Sequence, residues 1–255
     1  MAATSVLSGL LKGATWDEVT DYLSPAVLDI VSPRELSKEL MQLSGNFLRK
    51  GRWRARRSKL AEGLSDHFAG LELHDNLGGH ATQVSGLDLD TRRARGNRLL
   101  ELYFYQIEHQ GAALLDLRSA SFTGEGTLTR WAPAPLYCEW SPTFIDGVRK
   151  LYRGFYGDTP GVYEEALETL SLKAADSVFR QHFGSGDQRS VTFSLAHFRA
   201  TFHETFLICK REGVRLSAEF VSLGLMLACL YEHLEKLNAD FDVRAAYAAA
   251  TNGSR

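Results

Sequence analysis

The chain has 255 residues, 44% hydrophobic and 24% charged, with a formal net charge of −2. That balance fits a soluble globular protein rather than a disordered, fibrous or strongly polyanionic one. A chain this long can bury roughly 70–75% of its unfolded surface, in one large domain or two small ones. Cys138, Cys209 and Cys229 are odd in number and lack motif spacing, which argues against a disulfide framework and for a reducing compartment. The opening MAATSVLSGLLKGATW has no basic n-region, so a cleaved signal peptide is not expected. The longest apolar run, LGLMLACLY at 223–231, falls short of the ~20 residues that span a bilayer. A cytoplasmic protein is expected, with peripheral attachment to a membrane left open.

Prolines mark helix starts. Ser24-Pro25, Ser32-Pro33, Ser141-Pro142 and Thr159-Pro160 each place a hydroxyl cap before a proline, which sacrifices only a donor that had no helical partner. Ser32-Pro-Arg-Glu35 and Thr15-Trp-Asp-Glu18 have capping-box spacing. Helices are expected near 16–23, 25–31, 33–60, 142–156 and 160–170. Between 66 and 140 glycines accumulate, and ATQVSGLDL (81–89) and GAALLDL (111–117) read as strands. Arg98 to His109 reads as a buried helix.

Downstream, Ser194 is placed to cap a helix carrying His197, Phe198, Phe202, Phe206 and Cys209, stopped at Gly213. Ser217 is placed to cap another, in which Phe220, Leu223, Leu227, Leu230, Leu234 and Leu237 recur at spacings of three and four. That spacing draws one apolar stripe down a helix, read as a core helix rather than a coiled-coil seam. The fold class is mostly α, with a small β element in the middle (α+β). Residues 1–65 form an N-terminal helical segment, and 66–255 a main helical domain with its β element at about 80–140.

The chain offers few motifs. Its eight histidines are scattered, and no HExxH, CxxC, GxSxG, Walker A or strand-following GxGxxG is present, so no cofactor is identified and a metal site has little support. Gly184-Ser-Gly-Asp187 reads as a helix-ending loop. His203-Glu204 and Glu232-His233 lie on the last two long helices and could meet as a polar cluster.

The best binding feature is basic. Arg49, Lys50, Arg52, Arg54, Arg56, Arg57 and Lys59 put seven positive charges into eleven residues, leaving −9 elsewhere (−2 minus 7). With Phe47 and Trp53 interleaved, such a block suits phosphates, through nucleic acid or an anionic membrane. On a helix it would wrap around the circumference rather than form one stripe, which equally suits a solvated helix end paired with acidic groups.

The segment from Asn97 to about Leu172 resembles the C-lobe of the AarF/UbiB family, atypical protein-kinase-like proteins linked to ubiquinone biosynthesis. Leu99-Leu-Glu-Leu-Tyr-Phe-Tyr-Gln106 matches the family helix before the catalytic loop. Leu114-Leu-Asp116-Leu-Arg118 stands where the metal-binding Asp-Phe-Gly is found. Ser141-Pro-Thr-Phe144, Gly157-Asp158 and the ending Leu237-Asn-Ala-Asp-Phe-Asp-Val243 follow the same layout. The resemblance implies a kinase-C-lobe-like scaffold in which Asp116 is a remnant nucleotide or metal ligand. The chain departs from the family in lacking the HxDxHxGN-type catalytic loop, the N-lobe Lys and the KxGQ motif. Arg118 stands where Gly is expected. Phosphoryl transfer depends on a positioned base and metal ligands, so ordinary kinase activity is not expected.

The first functional expectation is therefore a non-catalytic, kinase-like helical protein. It would bind a protein partner, a nucleotide or an apolar metabolite, with a quinone- or isoprenoid-related role implied by the resemblance. The alternative is an all-α adaptor docking on nucleic acid or anionic membrane through residues 49–59. A third is an enzyme centred on His203, Glu204, Glu232 and His233.

Overall fold

In the computed structural model the described residues are 16, 30–77, 86–124, 130–157, 159, 161–183 and 190–252. The expected helices at 16–23 and 25–31, the Thr159-Pro160 start and the loop at 184–187 lie largely outside them. The fold is mostly helical with small β ladders, as its composition and periodicities imply.

The helix expected over 33–60 is two helices, α1 (Pro33–Leu48) and α2 (Lys50–His67), broken at Arg49 with φ −121° and ψ 69°. The break follows from what each helix buries. Leu36, Leu40 and Leu43 face the core from α1, and Trp53, Leu60 and Leu64 from α2. At 3.6 residues per turn, an unbroken helix would point the second set about 100° away from the first. The break at Arg49 brings both inward. Ser32 makes no side-chain cap, and its carbonyl instead accepts from the Leu36 N–H.

After β1 (Glu72–Leu73), helix α3 (Leu89–Tyr105) is capped by Asp88, whose side chain accepts from the Thr91 N–H at 2.9 Å. The strand expected over 81–89 is therefore absent in its described part, because the cap and first turn of α3 occupy 88–89. Helix α3 runs into a π-turn, Gln106–Gln110, ended by Gly111 at φ +58°, where glycine has no Cβ to strain. The widened turn is tied down from outside the helix. Arg149 Nε donates to the Ile107 carbonyl at 2.8 Å, and Gln106 Oε1 accepts from the Leu114 N–H at 2.9 Å.

The β element consists of β2 (Ala112–Leu114), β3 (Phe122–Thr123), β4 (Arg130–Trp131) and β5 (Tyr137–Glu139). β4 sits between a parallel β1 and an antiparallel β3, while β2 pairs antiparallel with β5. Only β2, within GAALLDL, was legible in advance.

Helix α4 (Pro142–Tyr156) starts where the Ser-Pro signal places it, with Ser141 Oγ accepting from the Phe144 N–H. Helix α5 (Val162–Thr169) lies unusually close to it. A Cβ on Gly147 would meet Leu170, and one on Gly154 would collide with the Tyr163 backbone. Two glycines seven apart face the same way on a helix, so together they clear the seat for α5.

Then follow α6 (Asp176–Phe183), β6 (Val191–Thr192), α7 (Leu195–Arg211), α8 (Glu219–Leu237), β7 (Asp240–Phe241) and α9 (Val243–Asn252). Ser194 caps α7 through the His197 N–H. The apolar stripe of α8 is real but understates its position. Almost every residue from Phe220 to Leu234 is buried, so α8 is the central helix, packed by α1, α3 and α7. The Ala-rich tail is the docked helix α9, which lies on α3 and buries Tyr247 and Ala250. Buried apolar residues from every helix α1 to α9 except α6 join one core, including those on both sides of residue 65, and Phe179 of α6 packs against it half-buried. No helix among the described residues is long and apolar enough to cross a membrane.

Candidate functional site

The principal candidate site is a cavity of about 60 Å³ lined by α4, α6, α7, α8 and the turn after α5. Helix α4 contributes Val148, Leu151 and Tyr152, and the turn adds Leu170 and Leu172. Helix α7 contributes Thr201, Phe202, Thr205 and Phe206, while α8 gives Phe220, Leu223, Leu227 and Tyr231. Leu216 and Phe179 complete the lining. Phe179, Phe202 and Leu227 are half-buried, whereas the other lining residues are buried.

The sequence builds this site locally. Spacings of four put Thr201 with Thr205, and Phe202 with Phe206, on neighbouring strips of α7. Phe220, Leu223 and Leu227 are the first half of the α8 stripe. A tether aligns the helix ends. The Glu219 carboxylate, in the first turn of α8, accepts from the backbone N–H and the hydroxyl of Ser141, the cap of α4, the latter at 2.9 Å.

No lining side chain carries a charge. The Thr201 hydroxyl donates to the His197 carbonyl at 3.0 Å, and the Thr205 hydroxyl to the Thr201 carbonyl at 2.9 Å. Tyr152 and Tyr103 share a hydroxyl–hydroxyl hydrogen bond of 2.5 Å. Burial first, and the neighbouring tyrosines next, push the Tyr103 and Tyr231 hydroxyls well above their ordinary range; burial does the same for Tyr152. All remain neutral at physiological pH. A charge brought into such a space loses its hydration with nothing to replace it.

Asp116 lies elsewhere, 1% exposed beneath the β element. Its carboxylate accepts from Arg118 Nε at 2.8 Å and Nη2 at 3.1 Å, from Ser121 Oγ at 2.6 Å and from the Ala134 N–H at 2.8 Å. Its carbonyl accepts from Trp131 Nε1 at 2.8 Å. The Arg118 guanidinium lies over the Trp16 ring, 3.2 Å from its centroid. Both carboxylate oxygens are thus engaged by protein donors, and the group ties Arg118, Ser121 and the Ala134 backbone together.

Glu232 and His233 serve the same loop. Glu232 accepts from the Ser119 N–H at 2.8 Å and hydroxyl at 2.9 Å, and from Lys236. His233, fully buried, donates from Nδ1 to the Leu117 carbonyl at 3.0 Å. Burial depresses its pKa to about 4, so the ring is neutral with Nδ1 as the donor. His203 and Glu204 are exposed on α7. The expected four-residue cluster does not assemble, because one pair faces solvent while the other is buried against residues 117–119. Among the described residues, no group of three or more His, Cys, Asp or Glu is arranged to hold a metal ion.

The basic block divides by helix face. Trp53 is buried, which removes the expected stacking surface. Arg57 donates to the His74 carbonyl at 2.8 Å and pairs with Asp75 at 2.7 Å. Arg56 lies 4.6 Å over the Tyr137 ring and 3.8 Å from Glu139. Arg49, Lys50, Arg52, Arg54 and Lys59 stay exposed. On α2, Lys50 and Arg54 fall on one flank of the buried Trp53–Leu60–Leu64 stripe, and Arg52 and Lys59 on the other.

The apolar cavity is what sequence reasoning missed. Its signal, aromatic and threonine pairs at spacing four on α7, is the same as that of ordinary core packing. No protein-family model matches the chain, and no curated protein matches it.

Proposed function

We propose that this chain is a non-catalytic helical binding protein that holds an apolar metabolite in the cavity between α4, α7 and α8. The carrying observation is the cavity itself, with an uncharged lining in which Phe179, Phe202 and Leu227 are half-buried. An unfilled void of about 60 Å³ costs a fold roughly 1–2 kcal/mol at ~24 cal/mol per Å³, and an apolar guest would restore the missing contacts. The resemblance of residues 97–172 to a kinase-like C-lobe belongs to this reading as its proposed descent. Asp116 then serves as a buried anchor for the loop beneath the β element.

The test is titration with dissolved xenon, a neutral apolar atom that a void of this size can hold, followed by amide NMR shifts. Wild type is expected to bind it saturably. Leu227→Trp, which sets a larger side chain in the lining, is expected to weaken binding at least tenfold with little change in Tm. Equal binding by both proteins would refute the cavity as the site.

A second reading keeps the adaptor role, through docking on nucleic acid or anionic membrane. Its support is the exposure of Arg49, Lys50, Arg52, Arg54 and Lys59. The division of α2's cations between two flanks favours the cavity over this surface.

A further inference from the structure

We infer that the guest of this cavity is a neutral hydrocarbon, or an equally apolar molecule, of no more than about three heavy atoms; this deepens the cavity reading above and rests on it. Size is the first support. The void of about 60 Å³ is roughly two-fifths of the ~150 Å³ in which an engineered apolar cavity holds benzene, a guest of six heavy atoms. Scaled by volume, about two or three heavy atoms fit. A whole prenyl unit or a quinone ring, which the kinase-like resemblance would suggest, does not.

The walls resist widening. Tyr152 is tied to Tyr103 by their hydroxyl pair at 2.5 Å. Tyr231 is clamped between Phe193 and Phe198, with ring centroids at 4.8 and 4.9 Å, and Phe220 meets Phe144 edge-to-face at 4.9 Å. Leu170 cannot draw back toward α4, because a Cβ on Gly147 would already lie 2.8 Å from it. Glu219 ties the start of α8 to Ser141 at the start of α4. A close-packed interior has low compressibility, so a larger guest would have to break these contacts rather than push them aside.

The chemistry of the lining narrows the guest further. No lining side chain is charged, and the Thr201 and Thr205 hydroxyl protons are held by carbonyls of their own helix. An ion or a strongly polar molecule would lose its hydration without replacement. A hydrocarbon has no such loss and gains the dispersion contacts that the void lacks.

The experiment follows amide NMR shifts of the full chain as xenon, ethane, propane or benzene is added up to its solubility in water. Xenon, ethane and propane are expected to shift amides around the lining saturably. Benzene is expected to bind at least tenfold more weakly than propane. Leu223→Ala removes carbons from the lining and enlarges the void, and is expected to tighten benzene binding at least tenfold over wild type. Leu227→Ala, at a half-buried position, makes the same comparison if Leu223→Ala does not fold.

Benzene binding to wild type within tenfold of propane overturns the size limit, as does a folded, enlarged variant that gains no benzene affinity. Ethane and propane failing to bind where xenon binds overturns the hydrocarbon guest. In each of these cases saturable xenon binding leaves the cavity standing as an apolar site. If xenon does not bind wild type, the cavity reading falls and this inference falls with it.

Discussion

Arg118 closes a two-pronged grip on Asp116 inside the protein, Nε to Oδ1 at 2.8 Å and Nη2 to Oδ2 at 3.1 Å, with both side chains under 10% exposed. Ser121 and the Ala134 N–H complete the shell. Removing one partner of such a pair leaves a buried charge without compensation. Asp116→Ala is therefore expected to cost about 3–5 kcal/mol, read as a lower midpoint in urea denaturation. Mg-ATP is expected to leave the wild-type Tm unchanged, because the oxygens that would face a metal already accept protein hydrogen bonds.

The seat of α5 on α4 gives a paired test. Gly154→Ala would drive a methyl into the Tyr163 backbone, which cannot swing away as a side chain would; the expected loss is about 1–3 kcal/mol. In α1 a Cβ on Gly45 meets nothing within 4 Å, and Gly45→Ala is expected to gain about 0.5–1 kcal/mol. Opposite signs for the two substitutions in one urea series would confirm the close α4–α5 approach.

His233 sets part of the acid limb. Its folded pKa is lowered to about 4 from an ordinary 6.5, first because burial disfavours the charged ring, although Glu232 pulls the other way. Below pH 6.5 the unfolded chain takes up a proton that the folded one does not, so stability falls with acid between 6.5 and 4. The window is worth on the order of 3 kcal/mol. His233→Gln, which keeps an amide donor for the Leu117 carbonyl, is expected to flatten the slope of urea stability between those pH values. An unchanged slope would show that His233 titrates normally.

Within the basic block the faces differ. Arg52→Ala and Arg54→Ala remove exposed charge and are expected to change stability by no more than about 0.5 kcal/mol. Trp53→Ala, at 8% exposure, is expected to cost about 3–5 kcal/mol. Heparin retention lost steeply with salt in wild type, and absent in the exposed-cation variants, would favour the adaptor reading.

Ser-Pro caps made α4 legible to the residue, and periodicity placed α7 and α8. The helix expected over 98–109 catches only the second half of α3 and the π-turn, because the first turns of α3 are polar and exposed. The break at Arg49 was hidden because helix propensity continues across it, and only the rotation of the buried stripe from Leu43 to Trp53 reveals it. The short strands carry two or three residues each, too few for an alternating pattern to emerge. The cavity was illegible because Phe202, Thr205 and Leu223 look the same in sequence whether they close a core or leave a gap. Asp116 was legible as an acid ending an apolar run and read as a nucleotide or metal-ligand remnant; its partners Ser121 and Ala134 flank β3 and β4, strands too short to be seen in the sequence.

The most direct measurement is a crystal structure of the full chain under xenon pressure. The expected result is xenon density enclosed by Phe202, Leu223 and Leu227. A cavity collapsed shut, one filled by hydrogen-bonded water, or xenon bound only elsewhere on the protein would contradict an apolar binding function at this site.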